Sequence, residues 1–126
     1  MKKILIILFF TSYNFIVSPN CSDLKTGKFK VKSEENGTVF ITRTQNKQIE
    51  ENEDYRVKIR YKVKWIDDCT YQLYDAKILK GDNNVKRNRT DTLTVNINNV
   101  KAGSYQAFIT SNYSDISIST EIEIVE

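Results

Sequence analysis

Histidine is absent from this 126-residue chain, and proline, glycine and cysteine are scarce, with one, four and two residues respectively. The lack of histidine excludes Ser-His-Asp triads, His-containing zinc sites and the commonest general base. The scarcity of proline and glycine, with no internal repeat, excludes collagen-like and solenoid folds. Hydrophobic residues make up 40% and charged residues 28%, a composition typical of one globular domain. We therefore expect a protein that is not an enzyme and that carries no cofactor.

The only long apolar run lies at the N-terminus. Met1-Lys2-Lys3 precedes an apolar stretch, 4–10, and the chain turns polar at Ser18. This layout predicts a secretory signal peptide over residues 1–18 and a single β domain over 19–126. A transmembrane anchor is the alternative, but polar residues interrupt the run before the roughly 20 apolar residues that a bilayer requires. Since Asn20 is not the small residue that lipidation signals place before cysteine, we expect a secreted or periplasmic protein without a lipid or membrane anchor.

Two cysteines, Cys21 and Cys69, would remain after cleavage of this segment. Exported proteins fold in an oxidising compartment, which favours a disulfide between them over the alternative of two free thiols. In the chain-entropy model, closing a loop of this length stabilises a fold by about 4 kcal/mol.

Beyond residue 27, short apolar–polar alternations separated by turn residues predict eight strands. They are expected at 28–32, 38–43, 48–50, 55–65, 70–79, 92–97, 104–110 and 116–125. Asn36-Gly37 predicts a two-residue hairpin turn, and the polar segment 81–89 predicts a long loop. Sequential short strands of this kind are typical of an antiparallel meander barrel or a sandwich.

Two cysteine-containing motifs carry a family resemblance. Cys21-x-Asp23-x-Lys25-x-Gly27-x-Phe29 is followed by Trp65-x-x-Asp68-Cys69-x-Tyr71-x-Leu73. The pair resembles motifs of small, uncharacterised secreted β proteins of Bacteroidota. This resemblance implies a calycin-like, or lipocalin-like, small antiparallel meander barrel of about eight strands, and no activity. True lipocalins have tryptophan where this chain has Phe29, and a basic residue near the C-terminus that packs over it, whereas nothing after Lys101 is basic here.

A second resemblance points to a different all-β fold. The segment from Val100 to Tyr105 is similar to the turn and tyrosine corner of immunoglobulin-like domains. An immunoglobulin-like β-sandwich is therefore the alternative fold. Trp65 and Cys69 are wrongly spaced for it, so we favour the barrel.

The segment 55–65 supplies the most distinctive candidate surface. Tyr55, Val57, Ile59, Tyr61, Val63 and Trp65 alternate with Arg56, Lys58, Arg60, Lys62 and Lys64. The basic set would form one face of a strand and is a candidate anion site. We expect instead that acids on neighbouring strands neutralise it, with Glu121 and Glu123 as candidates. Loss of Lys2 and Lys3 with the signal peptide would lower the net charge from +3 to +1, so we expect no nucleic-acid partner.

The apolar side of the strands suggests a second kind of site. Tyr61, Trp65, Tyr71 and Tyr105 are candidate pocket aromatics, although core packing explains them equally well. Asp75 lies on a strand face that could point inward, where burial would raise its pKa, but we favour the alternative, a place at the rim of the barrel. The abundance of large side chains favours a filled interior and a role through the surface. We expect a non-enzymatic binding or interaction protein for a protein, a glycan or a small apolar ligand, with an adhesive sandwich module as the alternative.

Overall fold

The computed structural model describes residues 20–81 and 88–125 of the chain. Eight antiparallel strands follow one another in sequence order and form a closed barrel. They are β1 (Gly27–Ser33), β2 (Gly37–Arg43), β3 (Lys47–Asn52), β4 (Val57–Asp67), β5 (Thr70–Lys80), β6 (Thr92–Asn98), β7 (Ser104–Ser111) and β8 (Ile118–Ile124). The predicted meander barrel is confirmed, and the immunoglobulin-like alternative is wrong. The predicted signal peptide, and residues 82–87 of the predicted loop, lie outside the described residues.

Strand β4 shows why the alternating pattern predicts the fold well. Tyr61 and Val63 are each 6% exposed and belong to the core, while the basic residues that alternate with the inward residues of β4 face outward. The strand begins at Val57, two residues later than predicted, because Arg56 has a φ of 55° and belongs to a turn. Tyr55 is exposed in the same turn, and its hydroxyl donates a hydrogen bond to the Glu35 carbonyl at 3.0 Å.

The first hairpin differs from its prediction by one residue. Ser33 pairs with Gly37, so the turn holds three residues, 34–36, instead of two. Gly37 has a φ of 74°, a left-handed conformation that glycine adopts without a Cβ clash. The Ser33 hydroxyl accepts hydrogen bonds from the Glu35 and Asn36 amides, both at 3.2 Å, which fixes the turn.

The connections between strands divide between two ends of the barrel, which we call the closed end and the open end. One end, the closed end, carries a 3₁₀ helix, Cys21–Leu24, and the β2–β3, β4–β5 and β6–β7 turns. The other, the open end, carries the β1–β2, β3–β4 and β7–β8 connections. The buried core fills the closed end and the middle, and consists of Cys21, Leu24, Phe29, Ile41, Tyr61, Val63, Tyr71, Leu73, Val95, Ile97, Tyr105, Ala107 and Ile122.

The barrel closes through its shortest pairing. Strand β8 meets β1 only at Phe29 with Ile124 and at Lys30 with Glu123. One further hydrogen bond joins them, from the Val125 amide to the Lys28 carbonyl at 2.8 Å. Toward the open end, the remaining residues of the two strands are not paired with each other.

Candidate ligand-binding site

The two cysteine motifs meet at the closed end. The predicted disulfide is confirmed: Cys21 in the 3₁₀ helix is bonded to Cys69 in the β4–β5 turn, with the Cα atoms 5.1 Å apart. Lys25 lies beside them, its ammonium 3.8 Å from the Asp68 carboxylate and 5.3 Å from the centroid of the Trp65 ring. The motif residues thus fasten the N-terminal segment over one end of the barrel.

A buried arginine closes the same end from inside. Arg43, at the end of β2, is 2% exposed. Its guanidinium donates to the Leu24 carbonyl at 2.7 Å, to the Gln48 side-chain oxygen at 2.8 Å, and to the hydroxyls of Tyr71 at 2.8 Å and Tyr105 at 3.1 Å. These hydrogen bonds compensate the cost of burying the charge. Arg43 therefore ties the N-terminal segment, β3, β5 and β7 together.

Aromatic rings enclose this guanidinium. Its central carbon lies 4.5 Å from the ring centroids of both Phe29 and Tyr71, at cation–π distance. Phe29 and Tyr105 meet edge to face at 5.8 Å. Burial raises the pKa of the Tyr71 hydroxyl far above its usual value, and the nearby Arg43 charge offsets only part of that effect. This end is therefore closed by a buried polar–aromatic cluster, which we call the plug.

Sequence reasoning missed Arg43. Its position was visible, because Val39, Ile41 and Arg43 share one face of a period-two strand. The positive charge of Arg43 favoured an exposed position, since arginine is almost never fully buried unless it is paired. Arg43 covers the ring of Phe29 and comes from β2, not from the C-terminal part of the chain.

The interior is hollow on the other side of this plug. A cavity of about 180 Å³ lies between Val31, Val39, Ile41, Leu73, Val95 and Ile122. A wider hollow of about 700 Å³, lined mainly by Val39, Val57, Ile59, Tyr61 and Ile118, opens at the mouth. Since Val39 lines both spaces, they adjoin. The expectation of a filled interior is therefore wrong for the open half of the barrel, where the inward side chains leave these two spaces between them.

One carboxylate lies at the junction of these two spaces. Glu50 lines both the inner cavity and the mouth. It is paired with Ile41 across the β2–β3 ladder, and its carboxylate accepts a hydrogen bond from the Gln48 amide at 2.8 Å. Gln48 in turn accepts from Arg43, so a polar chain runs from the plug to the cavity. Glu50 is the one carboxylate among the described residues that line the two spaces, most of which are apolar.

The predicted pocket aromatics divide between the two ends. Tyr61 lines the mouth and Tyr71 lines the inner cavity. Tyr105 belongs to the plug, where its hydroxyl accepts from Arg43. Trp65 packs against Tyr71 with ring centroids 4.7 Å apart, and its indole nitrogen is buried without a hydrogen-bond partner. The four aromatics thus do not form one pocket.

The predicted basic face also needs correction. Lys58, Arg60, Lys62 and Lys64 do share the outer side of β4, but Arg56 lies in the preceding turn. The acids expected to neutralise them, on β8, are not adjacent. Because β8 pairs with β7 and β1, it is four strands from β4 in either direction around the eight-stranded ring.

Asp75 does not point inward as the alternation suggested. A bulge in β5 gives Asp75 a φ of 50° and interrupts the pairing with β4. Its carboxylate lies 2.9 Å from the Lys62 ammonium and 3.7 Å from the Arg89 guanidinium. The hydrogen bond from Lys62, with the charges of Lys62 and Arg89, lowers the pKa of Asp75. The raised pKa that an inward position would cause does not arise, because the side chain is on the outer surface.

Within residues 20–81 and 88–125, no helix is long and apolar enough to cross a bilayer. Nor do any three His, Cys, Asp or Glu side chains of that part of the chain group as ligands for a metal ion. No protein family, curated protein or solved structure matches the chain at a significant level. The candidate site is accordingly defined by its own geometry, an apolar cup with a closed base, an open mouth and one carboxylate between them.

Proposed function

We propose that this protein is a non-enzymatic binding protein that takes one small, elongated apolar molecule through the open end of the barrel. The observation that supports this most is that Val39 and Glu50 line both the inner cavity and the mouth. A mouth of about 700 Å³ is within the range of sites that hold small molecules in proteins. Burial of an apolar ligand there would contribute free energy in proportion to the area removed from water.

The contrast between the two ends supports the direction of entry. The Cys21–Cys69 bond and the Arg43 plug block the closed end. At the open end, Ile116 and Ile118 are 71% and 53% exposed, which leaves apolar surface beside the mouth. A ligand entering there would cover Ile118 and reach the inner cavity.

The predicted setting agrees with this role. A secreted or periplasmic protein with a disulfide-fastened barrel would work outside the cytoplasm as a carrier or scavenger, in the manner of the calycin-like proteins that its motifs resemble. Catalysis is not part of the proposal. Neither is a nucleic-acid partner, because none of the described residues that line the mouth is basic.

A dye-binding experiment tests the proposal. N-phenyl-1-naphthylamine, a neutral dye that fluoresces in apolar surroundings, should bind the purified protein with saturable, one-to-one stoichiometry. Val39→Trp should abolish binding because Val39 lines both the cavity and the mouth. The matched control is Phe40→Trp, which places a tryptophan one residue further along β2, where the side chain is 45% exposed.

The control separates cavity filling from damage to the fold. Overpacking at Val39 costs typically about 1–3 kcal/mol, so both variants must first be shown to be folded by circular dichroism. Dye binding that survives in the folded Val39→Trp variant, or is lost equally in Phe40→Trp, contradicts the proposed site.

A further inference from the structure

The outer side of β3, β4 and β5 forms a surface that the proposed ligand site does not use. Its cations are Lys47 on β3, Lys58, Arg60, Lys62 and Lys64 on β4, and Lys77 and Lys80 on β5. We call these seven residues the basic wall. The acids on the same three outer faces are Glu51 and Asp75. The wall therefore carries a local excess of positive charge on a chain whose net charge is only +3.

The strand register makes this excess more pronounced. Six of the seven cations of the wall face one another in three directly opposed pairs: Lys47 opposite Lys62, Lys58 opposite Lys80, and Arg60 opposite Lys77. Like charges at directly opposed positions of a sheet destabilise it. The fold thus retains three unfavourable pairs on one surface, which a purely structural role would not require.

Little on the protein neutralises the wall. Asp75 bridges Lys62 and Arg89, and Glu51 pairs across the ladder with Lys58. Among the residues that the structure describes, no carboxylate forms an ion pair with Arg60 or Lys64.

Strand β1 provides an internal comparison. Lys30 and Lys32 of β1 face the neighbouring β8, where Glu123 is paired with Lys30 and lies 3.9 Å from the ammonium of Lys32. The same chain thus places acid opposite base on one side of the barrel and base opposite base on the other. The positive charge of the wall is a property of its register and not of the overall composition.

We propose that the basic wall binds a linear anionic polysaccharide, one bearing sulfate or phosphate groups. Same-face residues recur roughly every 6.8 Å along a strand, so Lys58 to Lys64 span about 20 Å. Such a row matches an extended chain with regularly spaced anions. Single-stranded nucleic acids need exposed aromatic rings for stacking, and the only aromatic residue on the described outer faces of these strands is the half-buried Tyr74.

Affinity for heparin oligosaccharides, measured by fluorescence anisotropy over a range of salt concentrations, tests the proposal. Binding should be detectable near physiological salt and should weaken steeply as salt is added. The triple variant Lys58→Gln, Arg60→Gln and Lys64→Gln should lower the affinity by about tenfold or more, because it removes three phosphate- or sulfate-contacting charges. It leaves the Lys62–Asp75 ion pair intact.

The control variant changes the net charge equally at another place. Lys28→Gln, Lys30→Gln and Lys32→Gln remove three cations from β1, and should alter the affinity by less than about twofold if the wall is the site. Equal losses in the two triple variants, or no binding by the wild type, overturn the proposal. Tighter binding of single-stranded or duplex DNA of matched charge overturns the choice of a polysaccharide. Dye binding at the mouth, unchanged in both variants, verifies that the barrel is intact.

Discussion

The guanidinium of Arg43 lies 4.5 Å above the ring of Phe29, so that a charged group from β2 covers an aromatic residue from β1 inside the barrel. Phe29 is 1% exposed and Arg43 is 2% exposed. The guanidinium shields the ring from water, and the ring face offers the buried cation a favourable contact beside its hydrogen bonds. The pair converts one end of a hollow cylinder into a base, and the ligand cup follows from it.

Arg43→Met should destabilise the protein by about 3–5 kcal/mol, because it leaves the buried Gln48 side chain and the Leu24 carbonyl without their donor. Urea unfolding monitored by tryptophan fluorescence measures the change. The matched control is Arg60→Met on the outer side of β4, where Arg60 faces Lys77, and its effect should stay within about 0.5 kcal/mol. Similar losses in both variants would contradict the plug.

Alkaline pH should weaken the fold through Tyr71. The pKa of its hydroxyl is raised in the folded state, chiefly by burial. The stabilisation from this group is fully present below about pH 10, where Tyr71 is protonated in both states, and is lost as the pH rises above it, since only the unfolded chain ionises. Above about pH 10, the unfolding free energy of the wild type should fall by about 1.4 kcal/mol per pH unit more than that of Tyr71→Phe. Urea titrations at several alkaline pH values measure the unfolding free energy of both proteins. An equal fall with pH in the wild type and in Tyr71→Phe would contradict this prediction.

Removing the disulfide should loosen the closed end. The Cys21→Ala, Cys69→Ala double variant should be less stable by about 2–4 kcal/mol, because the bond closes a loop with a sequence separation of 48. Thermal unfolding with and without reductant measures the change: reductant should shift the wild type toward the variant and leave the variant unaffected. If a reductant frees both thiols of the wild type and its thermal unfolding does not change, the disulfide does not stabilise the closed end.

Glu50 should determine which polar end group the ligand site accepts. Decylamine, decanol and decanoate share one alkyl chain, and their displacement of the dye ranks them. We expect the amine to bind best and the acid worst, because the carboxylate lies in the passage that Gln48 and Arg43 support from behind. Glu50→Gln should remove this ranking while keeping decanol binding within about threefold. Failure of all three to bind would refute the ligand site itself, whereas equal binding to the wild type would refute only the role of Glu50.

Lysine substitutions should report the depth of each inward position. Leu73→Lys should be severely destabilising because that side chain is 3% exposed in the core. Ile59→Lys should cost less, since Ile59 lines the mouth and a lysine there can extend into water. Lys58→Ile, on the outer face, should change stability by only a few tenths of a kcal/mol. Chemical denaturation measures the unfolding free energy of each variant. A larger loss of stability in Ile59→Lys than in Leu73→Lys would contradict the open mouth.

Much of the fold could be predicted from the sequence because period-two alternation has a direct physical cause. A strand with one buried face must alternate, so all eight strands were located, with shifts of a few residues where turns intervene. Barrel closure could not be read in the same way. It depends on Phe29 meeting Ile124 at the other end of the chain, and no local pattern encodes that pairing.

The candidate site was less predictable because it depends on exceptions to the pattern. Arg43 obeys the alternation but violates the rule that charges face water, and its partners come from four separate segments. Asp75 faces outward as charges normally do but departs from the alternation, because the bulge in β5 redirects it. The opposed cations of the basic wall require the register of β3, β4 and β5, which alternation within one strand does not supply.

Only two residue pairs join β1 to β8, and this short junction affects whether copies of the protein associate. A ring of strands has no edge until it opens, and local opening costs least where the fewest inter-strand contacts break. Rupture at this junction would expose two rows of unpaired amides and carbonyls, the starting point for domain swapping and edge-to-edge aggregation. The lysines that alternate along β1, Lys28, Lys30 and Lys32, make that edge repel a second copy of itself. When the barrel closes again, Glu123 can re-form its ion pair with Lys32 of the same chain.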